Sequence, residues 1–231
     1  MSRKIMHVVE GFGGGIYTFL VDLCNELAID NEVILVYSVR EQTPKDFKKD
    51  FSSKIKFIQL DMERQVNLIT DIKNIFNLIS IIKKERPHLL HLHSSKAGVI
   101  GRIAGKLTGY SGKMFYNPHG YAFLQENISK LRKITYFIIE NIIGHLGGFT
   151  IAVSNGEYIE AKKVSKRAIR IDNSINEKQL NKYIAPKDRN DDLIIGTLGR
   201  ITFQKNPALF NNIAKKFPNI KFVWIGDGDM R

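Results

Sequence analysis

Short apolar runs recur along this chain, each closing in a turn and leading into an amphipathic stretch. The first, Lys4–Val9 (KIMHVV), enters the turn Glu10-Gly11-Phe12-Gly13-Gly14-Gly15. Ile16–Ile29 follows, with Ile16, Leu20, Leu23, Cys24 and Leu27 at helical spacing. Glu32–Tyr37, Ile55–Leu60, His88–Leu92, Lys113–Asn117, Phe149–Val153 and Ala168–Ile171 read as further strands. Helices are predicted at Val66–Lys84 (stopped by Pro87), after His88–Leu92, at Ser129–His145 and at Tyr158–Val164. Strands this apolar are buried on both faces, which requires parallel pairing with helices on each side. The predicted fold class is α/β, with a complete Rossmann-like parallel sheet over residues 1–175. Residues 176–192 (NEKQLNKYIAPKDRNDD) read as a polar linker, and 193–231 as the start of a second Rossmann-like domain.

Charge and cysteine usage narrow the partners. A single cysteine, Cys24, excludes an internal disulfide, and its place in a helical apolar stripe makes it a packing residue. No apolar run is long enough to span a bilayer, and the run before Glu10 is too short for a signal peptide. The net charge of +12 arises from 35 basic and 23 acidic residues. The surplus is concentrated in residues 61–180, where 18 basic residues stand against 10 acidic. Such a surface attracts nucleic acid, anionic lipid or phosphorylated ligands. With no nucleic-acid-binding module in the chain, no nucleic-acid partner is expected.

Several stretches carry chemistry. Strand, glycine turn, helix is the dinucleotide-binding opening, but Ile16 stands where its third glycine belongs. The second strand then ends in Ser38-Val39-Arg40, with no acid for a ribose, which argues against an NAD enzyme. In Gly196–Asn206 (GTLGRITFQKN) an apolar strand opens through Gly199 toward a helix, with Arg200 and Lys205 in the loop. That arrangement makes an anion site, since a helix N-terminus and two cations favour phosphate. It equally describes a solvated loop with two surface cations. His91 and His93 share a strand face near His88, but without an accompanying carboxylate or cysteine no metal site is expected. Ser94, Ser95 and Lys96 begin a helix, where the serines are expected to cap. His119 falls at the carboxyl end of a strand, where α/β folds bind ligands. Ser154 and Glu157 read as a capping box. Ser129–His145, with Lys130, Arg132 and Lys133 at its start, reads as a core helix in preference to an interfacial membrane helix.

The stretch GTLGRITFQKNPALF resembles the donor-diphosphate loop of family 4 glycosyltransferases of GT-B fold. Other stretches agree. Gly14-Gly15 matches the family's opening, HLLHLH its D-I-V-H-x-H segment (with Pro87-His88 where an aspartate is usual), and Asn117-Pro118-His119-Gly120 its T-x-H-G segment. Glu140 matches the acid of a buried helix, and Asp172-Asn173-Ser174-Ile175 the interdomain Asn-Gly-Ile/Val-Asp, with Ser174 for the glycine. The resemblance implies sugar transfer from a nucleotide diphosphate sugar, with retention at the anomeric carbon and no metal or other cofactor. It gives Arg200, Lys205, Gly14 and Gly15 to the donor diphosphate and makes His119 the catalytic candidate. Lys96, Ser95 and Tyr121 are acceptor-side candidates. The acceptor would be a lipid-linked or oligosaccharide glycan of capsule, exopolysaccharide or O-antigen assembly. The setting would be cytoplasmic, peripheral on the inner face of the membrane, with anionic lipid as a further partner. The resemblance spans about the first three-fifths of the family's length, so the glutamate pair that holds donor hydroxyls is not represented. A truncated chain without sugar transfer is the corresponding expectation. Two alternatives remain open: a partial protein that only binds phosphorylated ligands, and a sugar-nucleotide 2-epimerase of GT-B fold.

Overall fold

The computed structural model describes residues 2–63, 66–174 and 193–231. The chain forms two compact units, Met1–Asn176 and Glu177–Arg231. The expected linker and Ile175 lie outside the described residues.

In the first unit, β1 (Lys4–Val9), β2 (Glu32–Tyr37), β3 (Lys56–Gln59), β4 (Leu89–His93), β5 (Met114–Asn117), β6 (Phe149–Ala152) and β7 (Ala168–Arg170) form one sheet. Its order is β3-β2-β1-β4-β5-β6-β7, and every pairing is parallel. The seven predicted strands are these seven, within a residue or two at each end. Alternation along β1 sends Met6 and Val8 to one face and His7 and Val9 to the other.

On the first face lie α2 (Leu68–Glu85), α3 (Ser95–Leu107), α4 (Lys130–Gly144) and α5 (Asn155–Val164). On the second, α1 (Gly14–Leu27) packs Leu20 and Cys24 against Val33, Leu35 and Tyr37. Local chemistry sets the ends of these helices. Asn67 caps α2 by accepting from the Ile69 and Thr70 N–H groups, and α2 stops where Arg86 turns left-handed (φ 47°) before Pro87. Ser129 accepts from Arg132 N–H at the start of α4. Helix α3 lies close to the sheet because Gly98, Gly101 and Gly105 face Tyr116, Leu92 and Met114, where a Cβ would overlap them.

Helix α4 departs from the expectation of a core helix. Only Glu140, Ile143 and Gly144 of it are buried. Leu131 (74% exposed), Ile134, Ile138 and Ile142 form a stripe on the outer surface. The helix has apolar residues on more of its circumference than one sheet contact can cover. Helix α2 behaves alike, exposing Leu68, Ile69 (82%), Ile72 and Phe76. Glu140 is the acid that does turn inward, accepting from Tyr116 Oη at 2.9 Å beside the buried Arg102, whose guanidinium lies 4.5 Å from the Tyr116 ring centroid.

The second unit pairs β8 (Ile194–Leu198) with β9 (Lys221–Ile225) in parallel, joined through α6 (Pro207–Lys216). Phe210 packs edge-on against Phe222 and Trp224, so these two side chains are half-buried, not exposed as their place in a two-stranded sheet suggests. Ile194, Leu198 and Ile225 remain open.

A Cβ at Gly144 would run into the Val164 carbonyl, a backbone atom that cannot swing aside. Gly144→Ala should therefore destabilise the first unit by about 1–3 kcal/mol, read as a lower midpoint in urea or thermal unfolding.

Candidate functional site

The parallel register of β1, β4 and β5 places a row of histidines on the α1 side of the sheet. His7 pairs in register with His91, Val9 with His93, and His93 with Asn117. His119 follows β5 by two residues. The rings meet end to end: His7 Nδ1 lies 3.1 Å from His93 Nε2, and His93 Nδ1 lies 3.1 Å from His119 Nε2. His91 Nε2 is 2.6 Å from Asn117 Oδ1, and Asn117 Nδ2 donates to the Ile151 carbonyl at 3.1 Å. Burial lowers the pKa of all four rings, with mutual repulsion adding for His7, His93 and His119. His91 and His119 are pushed down to about 4. All four are therefore neutral imidazoles at neutral pH.

The backbone around this row is unusual. His119 adopts φ 52° and Ser94 φ 77°, both left-handed for residues with a Cβ. Such conformations cluster at sites where geometry matters more than local stability. Two groups hold them. Ser94 N–H donates to the Asn117 carbonyl at 3.0 Å. Glu157 accepts from Gly120 N–H (2.8 Å) and Val153 N–H (2.7 Å), clamping the turn after His119 to the start of α5. The capping-box expectation thus holds for Ser154, which accepts from Glu157 N–H at 3.2 Å. The Glu157 carboxylate, however, reaches Val153 and a loop 37 residues away, not the Ser154 N–H.

The other candidates are placed as follows. Gly14 (φ 56°) and Gly15 open α1 at the carboxyl end of β1 with empty space beside both, and no side chain caps that helix. Arg40, at the end of the second strand, folds back to the Glu10 carboxylate and the Met62 carbonyl. Lys96 is mostly buried and pairs with Asp71 of α2 at 2.7 Å. Tyr121 is buried and stacks on Phe123 at 4.8 Å. Ser94, not Ser95, is the N-cap residue of α3, and its hydroxyl makes no capping bond, because the left-handed backbone directs it elsewhere.

In the second unit, Arg200 and Lys205 are exposed on the loop after β8, and the Lys205 chain passes over Gly199. The Trp224 indole donates to the Gly199 carbonyl at 2.8 Å and fixes the loop from below. The helix start behind them contributes less than its sequence suggests. Pro207 has no N–H, Asn206 Oδ1 accepts from Leu209 N–H, and Phe210 N–H is bonded to the Asn206 carbonyl. The two side chains therefore dominate any anion contact here.

Sequence reasoning singled out His91, His93 and His119 but missed His7, Asn117 and the second role of Glu157. Nothing local marks His7: it sits in an apolar strand and joins the row only through the β1–β4 register.

The fold is of GT-B type, a complete Rossmann-like sheet followed by a β–α–β unit of a second. Residues 5–143 match the family model described as glycosyl transferase 4-like, and the chain belongs to that family. UDP-Gal:alpha-D-GlcNAc-diphosphoundecaprenol alpha-1,3-galactosyltransferase of Escherichia coli is 30% identical over 186 residues, 72% of this chain and 47% of its own. The capsular polysaccharide biosynthesis glycosyltransferase CapM of Staphylococcus aureus is 25% identical over 198 residues, covering 77% and 50%. Among solved structures, Anabaena Alr3699/HepE in complex with UDP and glucose superposes with a TM-score of 0.70 at 14% identity, covering 98% of this chain and 62% of its own. The chain thus spans about half the length of the curated relatives it matches.

Two outcomes follow from this geometry. Glu157→Ala should leave the sheet intact but free the Gly120 amide, read as faster hydrogen exchange at Gly120 than in the parent. The buried histidines set a pH dependence. Each ring takes a proton less readily in the folded than in the unfolded chain, so the unfolded chain binds more protons as pH falls. Stability should drop from about pH 6.5 toward 4, by up to about 1.4 kcal/mol per pH unit for each ring, measured as urea midpoints across that window.

Proposed function

We propose that this protein takes part in transfer of a sugar from a nucleotide diphosphate sugar to a lipid-linked glycan, with retention at the anomeric carbon, in surface polysaccharide synthesis. The observation that carries this reading is the exposed Arg200–Lys205 pair on the glycine loop of a glycosyl transferase 4-like chain. As the glycosidic bond to the donor breaks, negative charge builds on the leaving diphosphate. A guanidinium fork and an ammonium group stabilise that charge where a metal ion would otherwise serve. His119, fixed by its backbone, orients a sugar or phosphate oxygen. The open, uncapped start of α1 at Gly14-Gly15 leaves room for a phosphate or glycan close to the backbone. The curated relative's name, with UDP-Gal and a diphosphoundecaprenol acceptor, supports a lipid diphosphate as the class of acceptor.

A membrane-surface setting at the cytoplasmic face is favoured by the helices around α3, which packs against both α2 and α4. Their outward stripes, Leu68, Ile69, Ile72 and Phe76 on one and Leu131, Ile134, Ile138 and Ile142 on the other, are larger than scattered surface apolar residues. Lys73, Lys130 and Arg132 rim them with positive charge. An apolar face with a basic rim suits the boundary of an anionic bilayer. Among the described residues no helix is long and apolar enough to cross one.

Arg200→Ala and Lys205→Ala should each weaken UDP binding by about tenfold or more, as a lost charge-assisted bond of roughly 1.5–3 kcal/mol implies. Calorimetry on this chain reads that loss, and sugar transfer reads it in a chain extended to its relatives' length. UDP binding unchanged in both variants would refute the diphosphate assignment. Binding to anionic vesicles should fall with salt and be lost in Ile134→Asp/Ile138→Asp; no binding by the parent chain would remove the membrane surface from the reading.

A further inference from the structure

The His7–His93–His119 row does more than fill space beneath α1. Each of its two gaps is 3.1 Å between ring nitrogens, and each needs one proton to be a hydrogen bond. A neutral imidazole carries one proton, on one nitrogen or the other. His93 uses both nitrogens, so its tautomer ties the two gaps together and only two arrangements satisfy the row. In one, every ring is protonated on Nδ1. In the other, every ring is protonated on Nε2.

The closed end of the row decides between them. His7 Nε2 is buried and has no hydrogen-bond partner among the described residues. In the Nε2–H arrangement that atom is a donor pointed at nothing; in the Nδ1–H arrangement it is a bare lone pair. Orphaned buried N–H groups are rarer than under-used acceptors. The remaining ring does not interfere. Asn117 Nδ2 is committed to the Ile151 carbonyl, so Asn117 Oδ1 faces His91 and His91 must donate from Nε2. We propose that His7 and His93 are positioning residues that hold His119 protonated on Nδ1, so that it meets a ligand as a neutral N–H donor and not as a base.

Other contacts keep the terminal ring in line. Glu157 clamps the turn at Gly120, and the Phe19 ring meets the His119 ring edge-on at 5.0 Å. The low pKa values of the row favour neutral rings and so agree with a single proton per gap. A neutral imidazole N–H suits a phosphate or sugar oxygen on which negative charge grows, because it stabilises that charge without surrendering its proton. This last step rests on the sugar-transfer reading; the tautomer does not. A competing use of the same side chains exists, since one ligand atom from each of His7, His91 and His93 lie within 4.8 Å of one another. A metal ion there would take nitrogens that the row needs for its own bonds.

The test is nuclear magnetic resonance of the 231-residue chain with ¹⁵N-labelled histidine. Expected are a protonated Nδ1 and bare Nε2 on His119, with through-bond nitrogen–nitrogen couplings across both gaps. His93→Leu should abolish the preference and give His119 a mixture of tautomers. Should that variant not fold, the couplings in the parent chain still decide the matter. His119 protonated on Nε2, or no coupling across either gap, would overturn the proposal. So would one equivalent of added zinc bound per chain through these rings. Because the tautomer is read without ligand, a failure of the sugar-transfer reading leaves this result standing. The donor role is read separately: UDP-glucose that binds without shifting the His119 Nδ1–H signal would overturn that role.

Discussion

A parallel sheet buried on both faces is the constraint from which the first unit follows. Its hydrogen bonds fix register, and register with a period of two fixes which side chains share a face. That is why a histidine in β1 and two in β4 meet beneath α1, while Met6, Val8, Leu90 and Leu92 build the opposite core. Burying imidazoles in such a place is unfavourable unless they are neutral and bonded. The row meets both conditions almost completely, and His7 Nε2, buried without a partner among the described residues, is informative for that reason. The carboxyl ends of the same strands carry the strained residues Ser94 and His119, held by a carbonyl of β5 and by Glu157.

Much of the fold was legible because its signals are local. The strand runs and glycine turns have short periods, and a parallel sheet admits few arrangements of seven apolar strands. Helix α4 is the exception, because a broad apolar circumference does not say how much of it the rest of the unit will cover. Periodicity gives the direction of a face and leaves its destination open. The site was legible only where residues lie near each other in sequence, as His91 and His93 do, or Arg200 and Lys205. His7, 86 positions from His93, and Glu157, 37 positions from Gly120, needed the register and the loop geometry. The cap at Asn206 shows the same limit in the other unit. The loop reads as a helix N-terminus open to anions, yet a side chain and a proline occupy most of its donors.

Lys96 illustrates how a sequence candidate changes meaning in three dimensions. At the start of α3 it looks like a free cation near a strand end. In the fold it ties α3 to α2 through Asp71, with both partners largely shielded from water. A shielded pair of this kind is costly to break from one side only, so it fixes the spacing of two helices that both border the carboxyl edge of the sheet.

The ion pair of Arg40 with Glu10 has a wider consequence. In dinucleotide-binding sheets the end of the second strand supplies an acid, and the cleft beside the first glycine turn stays open for a ribose. Here that corner carries a cation, and the Glu10 carboxylate, just past the first strand, together with the Met62 carbonyl, has claimed it. The cradle inherited with the architecture is stoppered from within by the chain. A ribose at that corner would have to displace the Arg40–Glu10 pair, whereas the neighbouring rim at Gly14-Gly15 stays open.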